Sequence, residues 1–466
     1  MGTISPSSAT SAPTPAPVAN SAAATRRLPL AGPVTPPFPL IAAHFAVAFG
    51  WALAGGAGLV WLAPILAEGT FLDPRVLGLT HTITLGFLTT TIMGVLYQIY
   101  PAMLGVGCRS LTVAWWSLGA QTAGTVLLVS GLVSGHGQLL GWGWTLLFFA
   151  TFGIAWNLLP LRRRAPRNRQ LGAYISYAHT AFGFAMAIGA ARIGDALGWW
   201  TTPRLELLAG HFQFAAVGFG GLTAMGIGSR MIPMFLGAES RDGWEVRWIP
   251  RIVLSGTVVF AAGALAHARL AAWSGALLMA LGAVLFLRLS LRWVRRRAVR
   301  KLDATPLLIG CALVSLALAV PLGLGALEAG LTRPGLQAAY PVLVLLGWLA
   351  SLILGVSYRV LPTLTWHHRF ARRAGQPGIP TLPDMLLPRL GMAAALAMAA
   401  GIILLVPALA LGNGTIARLG AALFSLAVLL TAAHHVRMGL VQRGSQPGPL
   451  RDVPSPVSPT CTPRAG

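Results

Sequence analysis

The sequence predicts an all-α, polytopic membrane protein with about twelve transmembrane helices in three pseudo-symmetric four-helix repeats. Three observations support this fold class. Hydrophobic residues make up 55% of the 466 residues and charged residues only 10%, whereas a soluble protein carries about 25% charged residues. Twelve apolar segments follow one another, each near the roughly 20 residues that a bilayer requires. One stretch also occurs three times, at residues 86–101, 218–233 and 347–362.

The three copies share four positions. Each begins with a Gly and an aromatic residue, continues to a second Gly and ends in a Pro. The second glycines are Gly94, Gly226 and Gly355; from 94 to 226 is 132 residues, and from 226 to 355 is 129. Glycines eight residues apart lie near one face of a helix, where they allow a neighbouring helix to approach closely. The near-constant spacing predicts a structural repeat of about 130 residues.

The predicted membrane domain covers residues 38–437, with repeats at about 38–160, 171–292 and 305–436. Each repeat contains four apolar segments, and the repeated stretch lies in segments 2, 6 and 10. The segments are predicted at 38–65, 75–103, 111–133, 138–160, 171–194, 205–235, 251–270, 272–292, 305–326, 337–365, 386–411 and 416–436.

Both ends of the chain are predicted to be disordered tails. Residues 1–36 are rich in Ser, Ala, Pro and Thr, and residues 440–466 are rich in Pro and Ser; such segments lack the apolar side chains that a packed core needs. Arginines cluster in the loops after segments 4, 8 and 10. The positive-inside rule then places both termini in the cytoplasm, which predicts a multi-pass protein of the cell inner (plasma) membrane.

The excess of basic residues indicates the membrane topology and does not indicate a nucleic-acid partner. The chain has 34 basic and 11 acidic residues, but the basic excess lies in short loops between apolar segments, so the expected partner is the lipid bilayer and no nucleic acid. All the acidic residues fall in loops, tails or helix ends. Proton pumps generally need a carboxylate inside the membrane, so a pump is not favoured.

Histidines are the remaining groups that can carry chemistry. His81 and His211 lie about equally deep in segments 2 and 6, on the outer side, and His267 lies near the outer end of segment 7. Neutral imidazole binds haem iron and copper, so His81 and His211 are candidate cofactor ligands and all three are candidate metal ligands. Gly86 and Gly218 are expected to leave room for a porphyrin. The alternative for each histidine is a hydrogen bond between helices, or an interfacial position for His267.

The other histidines are expected to be structural. His44 and His179 enter from the cytoplasmic side, where a second site is possible and helix packing is favoured. The pairs at 367–368 and 434–435 fall at the cytoplasmic ends of their segments and are expected to be interfacial. The three cysteines are not in CxxC or CxxCH motifs, which excludes c-type haem attachment and a cysteine zinc site.

These features resemble two related groups of membrane proteins. Twelve helices with histidines on helices 2 and 6 resemble the catalytic subunit I of heme-copper oxidases. The segments 80–87, THTITLGF, and 226–235, GIGSRMIPMF, resemble the NnrS family of haem- and copper-containing membrane proteins. The resemblance implies haem b, or alternatively copper, at His81 and His211. It also implies a role in electron transfer, nitric-oxide handling or respiratory-complex assembly, with partner membrane or electron-transfer subunits.

The sequence departs from the oxidase pattern in its metal ligands. Oxidases carry His-x-His on helix 10, where this chain has Tyr340 and no such motif, and a His-His pair on helix 7, where this chain has His267 alone. A working oxygen reductase is therefore not expected, and enzymatic activity is left open. The second hypothesis is a metal-free transporter or structural membrane subunit on the same scaffold.

Overall fold

The computed structural model describes residues 34–164, 168–239, 243–300, 302–374, 376 and 378–441. These residues form helices and connecting turns, with no strand among them. The two predicted tails, 1–36 and 440–466, lie almost entirely outside the described residues. The all-α class is confirmed for the rest of the chain.

The described part of the chain contains twelve long helices, which match the predicted segments in number and order. The helices are α1 Phe38–Ala67, α2 Pro74–Leu104, α3 Leu111–Ser134, α4 Gly137–Leu158, α5 Arg169–Ala196, α6 Arg204–Leu236, α7 Trp244–Leu265, α8 Arg269–Arg295, α9 Ala304–Ala329, α10 Pro334–Arg373, α11 Pro388–Ala410 and α12 Gly414–Val441. Ten of the predicted segments agree with the observed bounds to within five residues, whereas α10 continues to Arg373, eight residues beyond its predicted end, and α7 differs at both ends.

The predicted bounds of α7, 251–270, are wrong. The helix begins at Trp244 and ends at Leu265. Its first turns contain Glu245, a charged residue that interrupts the apolar pattern. The structure buries this side chain against the guanidinium of Arg292, at 2.7 Å. An ion pair between neighbouring helices thus allows α7 to start earlier than its hydropathy indicates.

Eleven of the helices in the described residues are long and apolar enough to cross a membrane. The exception is α5, a 28-residue helix that carries Tyr174, Ser176 and His179 among its apolar residues. The chain therefore has the composition of a multi-pass membrane protein. A helix with this many polar groups is suited to the protein interior, because each group finds a partner there more easily than in lipid.

The repeated glycines bring helices into close contact, as their spacing predicted. The first helix of each predicted repeat packs along the second: α1 on α2, α5 on α6 and α9 on α10. In each copy both glycines face the first helix of the same repeat. The two residues of that helix that they contact are seven positions apart in every copy. A Cβ placed on the second glycine would lie 2.7 Å from His44, 2.6 Å from Tyr174 or 2.9 Å from Leu308, and one on the first glycine would crowd Trp51, Ala181 or Ser315.

These contacts correct one expectation about the site. Gly86 and Gly218 were expected to leave room for a porphyrin beside the histidines. A Cβ on Gly86 would lie 2.6 Å from the Trp51 ring, and one on Gly218 would lie 2.6 Å from Cβ of Ala181. The space beside both glycines is filled by the neighbouring helix, so they pack helices together and do not make room for a cofactor.

Three of the helices contain a π-helical segment that the sequence did not predict. These segments are Thr82–Thr89 in α2, Gln213–Gly221 in α6 and Leu343–Ala350 in α10. Each contains the first glycine of the repeated stretch, and the segment of α10 lies against the other two. π-Helical turns are rare and occur frequently at functional sites. The three segments thus mark the interior of the bundle, close to the two candidate histidines.

Candidate functional site

His81 and His211 stand directly before two of the π-helical segments. His81 is the last residue of the α-helical start of α2, Pro74–His81, and His211 belongs to the corresponding start of α6, Arg204–Phe212. The start of α2 is fixed by Asp73, whose carboxylate accepts a hydrogen bond from the backbone N–H of Arg75 at 2.8 Å. The Arg75 side chain lowers the pKa of Asp73 to about 2, so this cap is charged at neutral pH.

The structure brings the two imidazoles together. Their ring centroids lie 6.2 Å apart, and the ring planes are inclined by 36°. The neighbouring Gln213 and Tyr340 also meet: the Tyr340 hydroxyl donates to Oε1 of Gln213 at 3.3 Å. α2, α6 and α10 therefore contribute polar side chains to one layer of the bundle.

Hydrogen bonds to backbone carbonyls fix the tautomer of both histidines. Nδ1 of His81 lies 2.8 Å from the carbonyl oxygen of Leu77, and Nδ1 of His211 lies 3.0 Å from that of Ala185 on α5. A carbonyl only accepts, so each Nδ1 carries the proton. The lone pair of each neutral ring is then on Nε2, free to bind a metal. A hydrogen bond of this kind orients metal-ligating histidines in proteins and raises their basicity.

The separation of the rings suits a metal between them. A metal ion that lies between two imidazoles, about 2.0–2.1 Å from each nitrogen, sets their centroids about 6 Å apart. Across the part of the chain that the structure describes, no group of three or more His, Cys, Asp or Glu residues comes together. The donor set is thus two neutral nitrogens. If a haem were bound here, His81 and His211 are the residues that would hold its iron.

A cavity of about 410 Å³ lies beside the histidine pair. Its walls come mainly from α2, α6, α8, α9 and α10 and are largely apolar; the polar side chains among them are Thr80, Gln213, Gln337 and Tyr340. Neither His81 nor His211 lines this cavity, although Thr80 and Gln213 are close to them in sequence. The pair and the cavity are therefore neighbouring features with separate linings.

His267, the third candidate metal ligand, stands apart from the pair. It lies in the connection between α7 and α8 with 75% of its side chain exposed, and its Nδ1 is 3.7 Å from a carboxylate oxygen of Glu206. Its backbone has a positive φ of 50°. These contacts are typical of the interfacial alternative, and they leave the site with two histidine ligands.

His44 and His179 make the contacts expected of packing residues. Nδ1 of each ring lies 2.8 Å from the backbone carbonyl four residues earlier, at Leu40 and Ile175. His44 is buried and packs on Gly94. Their structural role stays a prediction, because His81 makes the same hydrogen bond to the carbonyl four residues earlier.

The expectation for the pair at 434–435 is wrong. His367 and His368 are exposed, as predicted for interfacial residues, but His434 is only 1% exposed. The end of α12 packs against α10 instead of extending beyond the bundle. Hydropathy places these histidines at the end of an apolar segment and contains no signal for the helix that covers them.

No protein-family model matches the chain, and no curated protein matches it. Its class therefore rests on the fold and the site. They define an all-helical, multi-pass membrane protein with a pair of half-buried imidazoles that meet between α2 and α6.

Proposed function

We propose that this protein is an integral membrane electron carrier that binds one b-type haem between His81 and His211. In this proposal it is a divergent member of the heme-copper oxidase subunit I-like and NnrS-like superfamily. The observation that carries the proposal is the pair of imidazoles at 6.2 Å, each with Nδ1 held by a backbone carbonyl and Nε2 left as the ligand atom. A bound haem would supply reversible one-electron chemistry at this position.

The number of donor atoms favours haem over copper as the bound group. It also favours electron transfer over the binding of oxygen or nitric oxide as the function. His81 and His211 would together hold a haem iron through their two neutral nitrogens, whereas a copper ion that cycles between its two oxidation states generally has three or more protein ligands. A haem held by both residues would supply one-electron chemistry and would not be suited to bind oxygen or nitric oxide. Electron transfer, with a partner membrane or electron-transfer subunit as donor or acceptor, is therefore favoured over nitric-oxide handling and respiratory-complex assembly.

The side chains and backbone around the pair have defined roles in this proposal. The carbonyls of Leu77 and Ala185 orient the two rings and keep Nε2 unprotonated. The hydrogen bond from His211 to the carbonyl of Ala185 joins α6 to α5, so α2, α5 and α6 together hold the site. Both rings are half-buried, so the surrounding helices shield the site in part from solvent.

The three-repeat pseudo-symmetry is part of the same proposal. It is supported by the glycine contacts, which pair the first and second helices of every repeat in the same way, and by the π-helical segment at the first glycine of every copy. A location in the plasma membrane with both termini in the cytoplasm is proposed from the arginine-rich loops.

The cavity supports a second candidate function. A space of about 410 Å³ with an apolar lining and a few polar side chains has the character of a small-molecule site. It favours the alternative of a metal-free transporter on the same scaffold. In that case the histidine pair would be only a contact between α2 and α6.

A visible absorption spectrum of the purified protein separates the two functions. The electron-carrier proposal predicts a Soret band, one haem per chain by the pyridine haemochromogen assay and sharp α and β bands after reduction by dithionite. A colourless protein that contains neither iron nor copper by elemental analysis, even after expression with added haem precursor, would refute the proposal and leave the transporter.

A further inference from the structure

A second pair of histidines lies away from the proposed haem site, near the end of α12. The ring centroids of His434 and His435 are 5.2 Å apart. Tyr358 of α10 packs against both rings, with centroids 4.7 Å from His434 and 5.3 Å from His435, and Phe49 of α1 packs against His435 at 5.5 Å. Three helices thus enclose this pair, at the end of the bundle where the arginine-rich loops lie.

The ring nitrogens of this pair are poorly satisfied. Among the described residues, both nitrogens of His434 and Nδ1 of His435 are buried without a hydrogen-bond partner. The backbone of Leu387 lies near His434 but makes no hydrogen bond of normal geometry with it. Buried polar atoms are almost always paired in proteins, so a group of three unpaired nitrogens indicates a ligand.

The one paired nitrogen sets the tautomer of His435. Its Nε2 lies 2.9 Å from Oγ of Ser357, and that hydroxyl donates to the carbonyl oxygen of Leu354 at 2.7 Å. The hydroxyl proton is thus already used, so Ser357 accepts and Nε2 of His435 donates. The lone pair of His435 is then on Nδ1, the unpaired atom.

A soft donor lies one turn further along the same face. Met438 is buried and four residues after His434. Residues at this spacing are neighbours on a helix, and long side chains on a helix point back toward its N-terminus. This spacing predicts that the thioether of Met438 lies on the same side of α12 as the imidazole of His434.

We propose that His434, His435 and Met438 form a binding site for Cu(I). All three donors are neutral, and no group of three or more His, Cys, Asp or Glu residues occurs in the described ranges, so an ion with a high charge would be poorly compensated here. Cu(I) carries one charge, accepts two or three ligands and prefers thioether and imidazole. A metal bound to two imidazoles at an angle of about 110° sets their centroids about 5 Å apart.

The first test measures Cu(I) binding to purified variants by anaerobic competition with a chromogenic Cu(I) chelator. Wild type is expected to take up one Cu(I) that the double variant His434→Gln, His435→Gln loses. Met438→Leu, which preserves side-chain volume and folding, is expected to weaken binding about tenfold or more. The matched control is His367→Ala, His368→Ala, another adjacent pair at the same end of the bundle but exposed. Unchanged binding in both site variants, or an equal loss in the control, would overturn the proposal.

The second test locates the ion in the wild-type protein, so it does not depend on the folding of a variant. Cu(I)-loaded protein is treated briefly with ascorbate and hydrogen peroxide, and oxidised histidines are mapped by mass spectrometry. Oxidation is expected at His434 and His435 and not at His367 or His368. Oxidation confined to other histidines, or no retained copper, refutes the site. The visible spectrum of a haem at His81 is a separate readout, so either proposal can fail alone.

Discussion

The imidazoles of His81 and His211 lie 6.2 Å apart, each anchored through Nδ1 to a backbone carbonyl, one on its own helix and one on a neighbour. The second anchor, Ala185, belongs to α5, the one long helix among those described that lacks the apolar composition of a membrane span. α5 thus contributes a backbone acceptor to the site.

Replacement of either ligand is expected to change the haem spectrum. His81→Ala and His211→Ala each remove one of two axial nitrogens, so the Soret band of the purified protein should bleach or shift. His136→Ala and His367→Ala alter exposed residues and should preserve the band, as should His44→Ala, which alters a packing residue. Loss of the band in the His44→Ala and His179→Ala variants, with retention in the other two, would move the site to the opposite end of the bundle.

Carbon monoxide is expected to leave the reduced wild-type spectrum unchanged, because both His81 and His211 would hold the iron of a bound haem. His211→Gly with added imidazole provides the matched comparison: without imidazole one axial position opens and the spectrum should shift in carbon monoxide, and with imidazole the shift should disappear. A carbon monoxide shift in the wild type would show an open position and favour nitric-oxide handling over electron transfer.

The repeated glycines are expected to tolerate no side chain. Gly94→Val and Gly226→Val place atoms where His44 and Tyr174 now lie, at 2.7 and 2.6 Å from a new Cβ, and overpacking of this kind costs about 1–3 kcal/mol. The melting temperature in detergent should fall for both variants. Gly119→Val and Gly183→Val are the controls, since nothing lies within 4 Å of a Cβ at these helical positions. Equal melting temperatures in the two sets would show that the glycines do not bring the helices together.

The positions of the helices and the choice of the two histidines could be predicted from the sequence on physical grounds. A membrane requires a long apolar run for each crossing, so hydropathy locates helices well. His81 and His211 were found because they are polar in such runs. The π-helical segments were not predicted, because the wider turn of a π-helix does not change the hydropathy of the sequence.

Burial was harder to predict than position along the chain. His434 was misassigned because its burial depends on contacts with α10, far away in sequence. Trp244 was missed as the start of α7 because the charge that follows it is paired across helices. In both cases a tertiary contact allows a polar residue to be buried, and such a contact cannot be predicted from a single sequence.

The orientation of the bundle can be tested by cysteine labelling. In a background without the native cysteines, single cysteines at Ser134, Trp199 and Leu331 should react with an impermeant maleimide added to intact cells, and those at Ala298 and Ala371 only after lysis. Gly135 and Gly330 are avoided because their positive φ strains any other residue. Labelling of Ala298→Cys in intact cells would reverse the proposed location of the arginine-rich loops.

The ion pair between α7 and α8 is expected to respond asymmetrically to mutation. Glu245 is only 2% exposed, whereas the side chain of its partner Arg292 is 42% exposed. Arg292→Ala leaves a buried carboxylate without its partner, which typically costs about 3–5 kcal/mol. Glu245→Gln leaves a guanidinium that reaches water and an amide that still accepts its hydrogen bond, so it should cost only about 1 kcal/mol. Denaturation of the two variants in mixed detergent measures both values. Equal losses, or a larger loss for Glu245→Gln, would show that burial of the carboxylate does not govern this pair.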